Sequence, residues 1–393
     1  MKRAGIFLKS GNRIVKSWIA AILILANFWG CTPDKPSESP VFLVPITKNL
    51  EHNPVLTPST WYSFQDPIRE TEVYWEEKDV FNPATVVKGD TLFLLYRAED
   101  VLGKYNGTSR IGLAFSLDGY HFQKYPTPVL YPDNDEFKVY EWEGGCEDPR
   151  VVEDENGTYY MNYTAYNGDK ARLFVATSID LKHWTKHGSV FRKAGNQFVD
   201  MWSKSGAVLC RQENGRMIAT KVKGKYWMYW GESNIYMATS DNLIDWEPVL
   251  ETDPSKMQLD TMRNYTIAFQ VLFSTRKGKF DSELVEPGPP ALLTEEGFLF
   301  IYNSKNSPTF GDKNLAAGTY AAGQIITDKD DPRKVLYRTD DYFITPDQPF
   351  EITGQVNNVC FVEGLARFKE KWWLYYGTAD SKIAVAESGT NLH

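Results

Sequence analysis

The chain has 393 residues, 42% of them hydrophobic, which is enough for a sizeable core in one large domain or two smaller ones. Aromatic residues are abundant at 14%, as expected for a β-rich protein, whereas there are only 5 histidines. The formal net charge of −8 makes nucleic acid an unsuitable partner.

The first thirty residues have the pattern of an export signal. Basic residues precede the apolar run "WIAAILILANFWG", which ends immediately before Cys31 and is short for a membrane span. We predict that residues 1–30 are a lipoprotein-type signal peptide, that Cys31 carries a lipid anchor and that residues 31–50 are a tether. An ordinary secretory signal is the alternative.

Removal of the five basic residues gives a mature charge of −13. The protein would be exported and lipid-anchored in the bacterial cell envelope, facing the periplasm or the cell exterior, with no other membrane contact.

A strand motif recurs through the rest of the chain. It begins at Ile111, as "IGLAFSLDGYHFQKY", and returns at Leu173 and Ile235 with a constant spacing of 62 residues. Shorter or degenerate copies begin at Ala322 and Ile383. Each copy alternates apolar with small or polar residues and then reaches a turn, which predicts a strand, a turn and the start of another strand.

A second apolar motif lies between the copies of the first. It places one tyrosine in each of five segments, at Tyr96, Tyr163, Tyr229, Tyr302 and Tyr376. Two motifs that recur five times in one order predict five similar four-stranded sheets. We therefore predict an all-β chain in which residues 51–393 form a single five-bladed β-propeller. A β-sandwich or two β-domains are the alternative, but neither predicts a five-fold repeat.

The innermost strands of a propeller begin at its central channel, so polar residues at those strand ends should converge on one site. The candidate first strands are "FNPATVV", "EDPRVVE", "SGAVLC", "GPPALLT" and "NVCFVEGLARF". The polar residues that open them are Asn82, Glu147, Asp148, Arg150, Lys204, Glu286 and Glu363.

Several of these motifs, in this order, resemble glycoside hydrolase family 130. They include "VFNPATVV", "LLYRAED", "GGCEDPRVV", "PGPPALLTEEGFLFIY" and "YYGTADSKIAVAES", and the resemblance runs from about Phe81 to Ser388. That family contains β-mannoside phosphorylases and β-mannosidases on a five-bladed propeller. The resemblance implies an enzyme whose partner is an oligosaccharide substrate. Nothing in the sequence suggests a metal or an organic cofactor.

The resemblance also implies roles for individual residues. The family's general acid falls on Asp148, which would protonate the leaving oxygen through the 3-hydroxyl of the bound mannose. Asn82 and Arg97 match sugar-binding residues of the mannose subsite, and Asp380 matches an Asp that holds sugar hydroxyls. Because an acid must keep its proton near neutral pH, we expect burial and the neighbouring Glu147 to raise the pKa of Asp148.

Departures from the family pattern concern the nucleophile. Where the phosphorylases have a His-Arg pair for phosphate, this chain has Trp230 and Gly231, followed by Glu232. Glu286 stands where a glycine is expected, and Lys204, the basic group that is retained, is predicted to bind substrate. Carboxylates repel phosphate and can deprotonate water. We therefore predict an inverting β-mannosidase for β-1,2-linked manno-oligosaccharides, with Glu232 or Glu286 as the base.

Two more residues carry predictions of a different kind. Asn303 replaces the histidine of a family motif and is predicted to bind substrate. Arg150 is predicted to be structural and to pair with Glu147 or Asp100.

Three alternatives remain open from the sequence. One is a β-mannoside phosphorylase, and another is a family-43-like glycosidase, which would need an early Asp where this chain has Asn82. The third, of a different class, is a non-catalytic glycan-binding propeller lipoprotein, which would have no need for a protonatable Asp148. The sequence does not indicate an oligomeric state.

Overall fold

Antiparallel strands make up nearly all the regular structure of the computed structural model, which describes residues 42–392. The all-β class predicted from the sequence is confirmed. The predicted signal peptide and the lipid anchor at Cys31 lie outside the described residues. Three four-residue helices occur in the described part, namely α1 (Lys138–Glu141), α2 (Asn196–Val199) and α3 (Pro349–Ile352). Between residues 42 and 392, no helix is long and apolar enough to cross a membrane.

After three short strands, the chain forms five groups of antiparallel strands in sequence order. The short strands are β1 (Thr47–Lys48), β2 (Phe64–Asp66) and β3 (Thr71–Val73). The first group is β4 (Asp79–Lys88), β5 (Thr91–Glu99), β6 (Ser109–Ser116) and β7 (Gln123–Lys124). The second is β8 (Gly145–Glu153), β9 (Tyr159–Tyr166), β10 (Ala171–Ser178) and β11 (Thr185–Ser189).

The other three groups differ in their irregularities. The third is β12 (Ala207–Glu213), β13 (Arg216–Ala219), β14 (Lys221–Val222), β15 (Lys225–Trp230), β16 (Asn234–Ser240), β17 (Trp246–Pro248) and β18 (Val271–Ser274). The fourth is β19 (Leu284–Pro287), β20 (Ala291–Leu293), β21 (Phe298–Lys305), β22 (Tyr320–Thr327) and β23 (Val335–Arg338). The fifth is β24 (Cys360–Phe368), β25 (Lys371–Thr378) and β26 (Lys382–Ser388), and β1 completes it.

The N-terminal strand β1 pairs with the last strand, β26. Thr47 lies opposite Glu387 in an antiparallel register. Leu43 is buried, and its backbone N–H donates to the side chain of Gln324. The chain therefore joins the fold before residue 51, and the tether predicted for residues 31–50 is too long at its C-terminal end.

The repeated tyrosines share one packing arrangement. All five are buried, and in four groups the hydroxyl donates to a buried carboxylate that also binds a Lys or Arg on the last strand of the group. The four sets are Tyr96–Glu76–Lys124, Tyr163–Glu141–Lys186, Tyr302–Asp281–Arg338 and Tyr376–Glu351–Lys48. A buried hydroxyl needs an acceptor and a buried carboxylate needs a cation, so each set fixes an outer strand to its group. In the third group, Tyr229 instead contacts Thr327 and the carbonyl of Pro332.

The first strands of the groups lie innermost. Every residue of β8 is buried, and β4 is buried except for its last residue. Strand β8 contacts β4, β12 and β24, so strands from four groups meet in the middle of the molecule. Polar residues that open these strands are thereby brought together, as the sequence predicted.

Candidate active site

Backbone irregularities direct three polar side chains out of the innermost strands. The pairing register shifts at Asn82 in β4, at Asp148 in β8 and at Glu363 in β24. A β-bulge re-aims the side chain of the extra residue, and bulges are common beside active sites. Asn82 and Asp148 have φ values of 47° and 49°, a left-handed conformation that costs free energy outside glycine. This local strain is typical of a functional site.

Asp148 is the centre of a hydrogen-bonded cluster. Its side chain is buried, and its Oδ1 accepts a 2.9 Å hydrogen bond from the Nδ2 of Asn82. The Nη1 of Arg97 lies 3.3 Å from the same oxygen. Arg97 also binds Glu147, with 3.0 Å between Nη2 and Oε1. The predicted acid and two predicted sugar-binding residues therefore do lie together.

The protonation of Asp148 differs from the prediction. Burial alone would raise its pKa, but the charges of Arg97 and Lys204 and the hydrogen bond from Asn82 outweigh burial and hold the pKa below its ordinary value. The expectation of a raised pKa at Asp148 is therefore wrong for the free site. It failed because the distances of Arg97 and Lys204 from Asp148 could not be read from the sequence.

Two neighbouring carboxyls hold protons more readily than Asp148. Burial raises the pKa of Glu147 to about 7, against the charge of Arg97 and with the help of Asp148. Burial likewise raises the pKa of Asp380, in the turn between β25 and β26, to about 7. Near neutral pH, Glu147 and Asp380 are therefore protonated more readily than Asp148.

The amide oxygen of Asn82 is an unsatisfied buried acceptor among the described residues. Its Oδ1 is buried and accepts no hydrogen bond from any residue between 42 and 392. A buried acceptor without a donor is costly, and a sugar hydroxyl would satisfy it. Gly377 packs so closely against this oxygen that a Cβ at position 377 would overlap it.

The carboxylates of Glu286 and Glu232 lie on the side of the site away from the Asp148 cluster, and each is paired with a cation. The Nζ of Lys204 is 3.1 Å from the Oε1 of Glu286, which also accepts a hydrogen bond from the hydroxyl of Ser205. Burial raises the pKa of Glu286, and Lys204 opposes this effect. Although burial lowers the pKa of Lys204, the carboxylates of Glu286, Glu232, Asp148 and Glu147 together raise it above its ordinary value. Lys204 is thus shared between the two sides of the site.

Glu232 follows β15 and is held by residues that the sequence analysis missed. The Nη2 of Arg263 is 2.6 Å from the Oε1 of Glu232, and the indole N–H of Trp202 donates to the same oxygen at 2.8 Å. Arg263 lies in the segment between β17 and β18, which has no strand periodicity that would have singled it out. Trp202 and Arg263 also line a surface cavity of about 570 Å³.

Two sequence predictions fail in this region. Asn303 does not face a substrate, because its amide donates to the carbonyl of Val362 at 2.9 Å and accepts from the backbone N–H of Val362 at 2.7 Å. It joins β21 to β24 instead. Arg150 pairs with Glu363 at 2.6 Å and not with Glu147 or Asp100, since Asp100 is taken by Arg110.

Buried carboxylates on the innermost strands of an all-β protein, with polar donors and an unsatisfied acceptor between them, form an arrangement suited to acid–base chemistry on a sugar. None of the residues from 42 to 392 form a His, Cys, Asp or Glu cluster suited to a metal ion. The chain belongs to glycoside hydrolase family 130, whose model, described as β-1,4-mannooligosaccharide phosphorylase, matches residues 46–391.

Individual relatives agree with this family. The chain is 30% identical to a β-1,2-mannobiose phosphorylase of Thermoanaerobacter sp. (strain X514), over 81% of this chain and 92% of that protein. A crystal structure of a putative glycoside hydrolase from Bacteroides ovatus ATCC 8483 is 47% identical, with a TM-score of 0.82, over 89% of this chain and 97% of that one. Another structure comes from work on GH130 glycoside hydrolases that target β-1,2-mannosidic linkages in Candida mannan. It is 42% identical, with a TM-score of 0.83, over 89% of this chain and 97% of that one.

Proposed function

We propose that this protein is an inverting β-mannosidase that hydrolyses β-1,2-linked manno-oligosaccharides. The observation that carries the proposal is the pairing of both cations at the nucleophile side with carboxylates, Lys204 with Glu286 and Arg263 with Glu232. A dianionic phosphate needs cations that are free to bind it, whereas water needs a carboxylate that accepts a proton.

The fold proposal follows from the same strand groups. We propose that the five antiparallel groups are the blades of a five-bladed propeller, with the innermost strands around a central channel. The contacts of β8 with β4, β12 and β24 support this arrangement, because blades of a propeller meet along their first strands.

In the proposed reaction, one carboxylate acts on water while the opposite cluster supplies a proton. Glu286 or Glu232 takes a proton from water, and the water oxygen bonds to the anomeric carbon as the glycosidic C–O bond breaks. The proton of the Asp148 cluster passes through the 3-hydroxyl of the mannose to the leaving oxygen. Attack from the face opposite the leaving group inverts the anomeric configuration. The sugar is held in position by Asn82, Arg97 and Asp380.

The linkage is proposed from relatives. This chain is 42% identical to the structure from work on hydrolases that target β-1,2-mannosidic linkages. Its identity to the β-1,2-mannobiose phosphorylase is lower, at 30%. Both names refer to β-1,2-linked mannose, so we propose this linkage for the substrate.

A phosphorylase is the second candidate. The family model and the curated relatives are named as phosphorylases, and Lys204 and Arg263 would offer two cations if their carboxylates were displaced. Phosphate would then attack in place of water, and the product would be mannose 1-phosphate.

One experiment separates the two candidates. The purified protein is incubated with β-1,2-mannobiose, with and without inorganic phosphate, and free mannose and mannose 1-phosphate are measured. We expect free mannose at the same rate in both, with inverted configuration in the initial product by NMR. Phosphate-dependent cleavage that yields mannose 1-phosphate would overturn the hydrolase in favour of the phosphorylase. Binding without turnover would indicate a glycan-binding protein.

A further inference from the structure

Arg150 connects the two sides of the site through its guanidinium group. Nη1 donates to the backbone carbonyl of Asp148 at 3.2 Å. Nη2 donates to the carbonyl of Pro287 at 2.6 Å, and Nε donates to that of Gly288 at 2.8 Å. Pro287 directly follows Glu286 in the chain. One rigid, planar group therefore bonds the residue that carries the proposed acid and the backbone beside a proposed base.

Glu363 is the acidic partner of Arg150 and comes from a third group of strands; burial raises the pKa of its carboxyl well above the ordinary value, and the charge of Arg150 opposes this effect. Its Oε1 lies 2.6 Å from the Nη2 of Arg150, and its side chain is 0% exposed. Neither carboxylate oxygen has a hydrogen bond of good geometry from any residue between 42 and 392. A buried carboxylate in this state is expensive unless a cation compensates it. Arg150 is thus held by Glu363 together with the three backbone carbonyls.

We propose that Arg150 and Glu363 are positioning residues, an inference that rests on the proposed function. Together they set the separation between the Asp148 acid and the Glu286 side of the site. An inverting enzyme needs its two carboxyl groups about 6.5–9.5 Å apart to admit water. A misplacement of about 1 Å can cost about a hundredfold in rate. Neither residue needs to touch the substrate for this role.

A variant with both charges removed tests the idea without leaving an orphan charge. Arg150→Met combined with Glu363→Leu should fold, because replacing a buried ion pair by apolar residues of similar volume is often close to neutral for stability. We expect kcat on β-1,2-mannobiose to fall by about 10- to 100-fold while KM changes less than about threefold, since positioning affects the transition state more than substrate binding. Melting temperature is measured alongside.

Arg110→Lys is the matched control. Arg110 is as buried as Arg150 and pairs with Asp66 and Asp100, but none of its hydrogen bonds reaches a proposed catalytic residue. We expect Arg110→Lys to lower the melting temperature and keep kcat, whereas Arg150→Lys should lower kcat. Equal loss of kcat in both lysine variants, or wild-type kcat in the folded double variant, would overturn the positioning role. If wild-type protein has no turnover of any β-mannoside, with or without phosphate, then the proposed function fails and this inference fails with it.

Discussion

The guanidinium of Arg263 lies 2.6 Å from Glu232, so a cation from the segment after β17 neutralises a carboxylate beside the site. Lys204 does the same for Glu286 at 3.1 Å. A close opposite charge lowers the free energy of the ionised carboxylate and at the same time removes a cation from the reach of an anionic substrate. The balance between carboxylates and cations therefore decides which nucleophile this side accepts.

Neutralising Glu232 should change how the protein responds to anions. Glu232→Gln frees Arg263, so we expect inorganic phosphate to bind the variant at least tenfold more tightly than the wild type. The measurement is isothermal titration with phosphate at low ionic strength. Glu247→Gln, an exposed substitution in β17, is the control. Unchanged phosphate affinity in Glu232→Gln would mean that Arg263 does not face the site.

Glu286 is expected to be the stronger of the two base candidates. Burial raises its pKa, and a general base works best when its pKa approaches the working pH. Glu286→Gln should reduce kcat by about 10²- to 10⁴-fold, the range of general acid–base catalysis. Azide should restore part of the rate because it needs no deprotonation. A larger loss in Glu232→Gln, with azide rescue there, would transfer the role to Glu232.

Asp148→Asn should remove proton donation but retain substrate binding. We expect kcat on β-1,2-mannobiose to fall by about 10²- to 10⁴-fold with KM nearly unchanged. An aryl β-mannoside with an acidic leaving group needs little protonation, so its loss should be much smaller. The comparison of the two substrates is the measurement, and equal losses on both would argue against Asp148 as the acid.

The pH profile should have a limb near neutrality. Glu147 and Asp380 each have a pKa of about 7, so the cluster loses its proton as the pH rises past that value, and kcat/KM should fall. Glu147→Gln removes one of the two groups that hold this proton and also a negative charge beside the remaining carboxyls, so the limb should move to lower pH. Glu153→Gln, at the other end of β8, should leave the limb in place. A limb that moves to higher pH in Glu147→Gln would contradict this account.

Gly377→Ala tests the space beside Asn82. The added Cβ would overlap the Oδ1 of Asn82, so either the amide must turn or the strand must shift. Because that oxygen is proposed to accept a sugar hydroxyl, we expect KM to rise by about 10-fold or more, as for a lost hydrogen bond to a substrate. Gly389→Ala, where nothing lies near the added Cβ and the backbone is not left-handed, controls for the loss of a glycine. Unchanged KM in Gly377→Ala would remove Asn82 from substrate binding.

Much of this arrangement could be predicted because it follows from strand order. The two repeated motifs located the first strands, and residues that open those strands, such as Asn82, Asp148 and Glu286, had to meet. Side-chain direction could not be predicted in the same way. Asn303 was assigned to the substrate, yet its amide holds the backbone of Val362. Arg263 had no signal because it lies in an irregular segment and reaches Glu232 only through the folded chain.

The pairing of β1 with β26 has a consequence for how the protein is made. Thr47 precedes its partner Glu387 by more than three hundred residues, and Leu56 is separated from its partner Ile383 by a similar length of chain. The fifth group is therefore incomplete until β26 is available to pair with β1. Contacts of such long sequence separation slow folding, and they leave the early strands exposed to proteases and chaperones in the meantime. Closure of the fifth group thus depends on two segments that are far apart in the sequence finding each other.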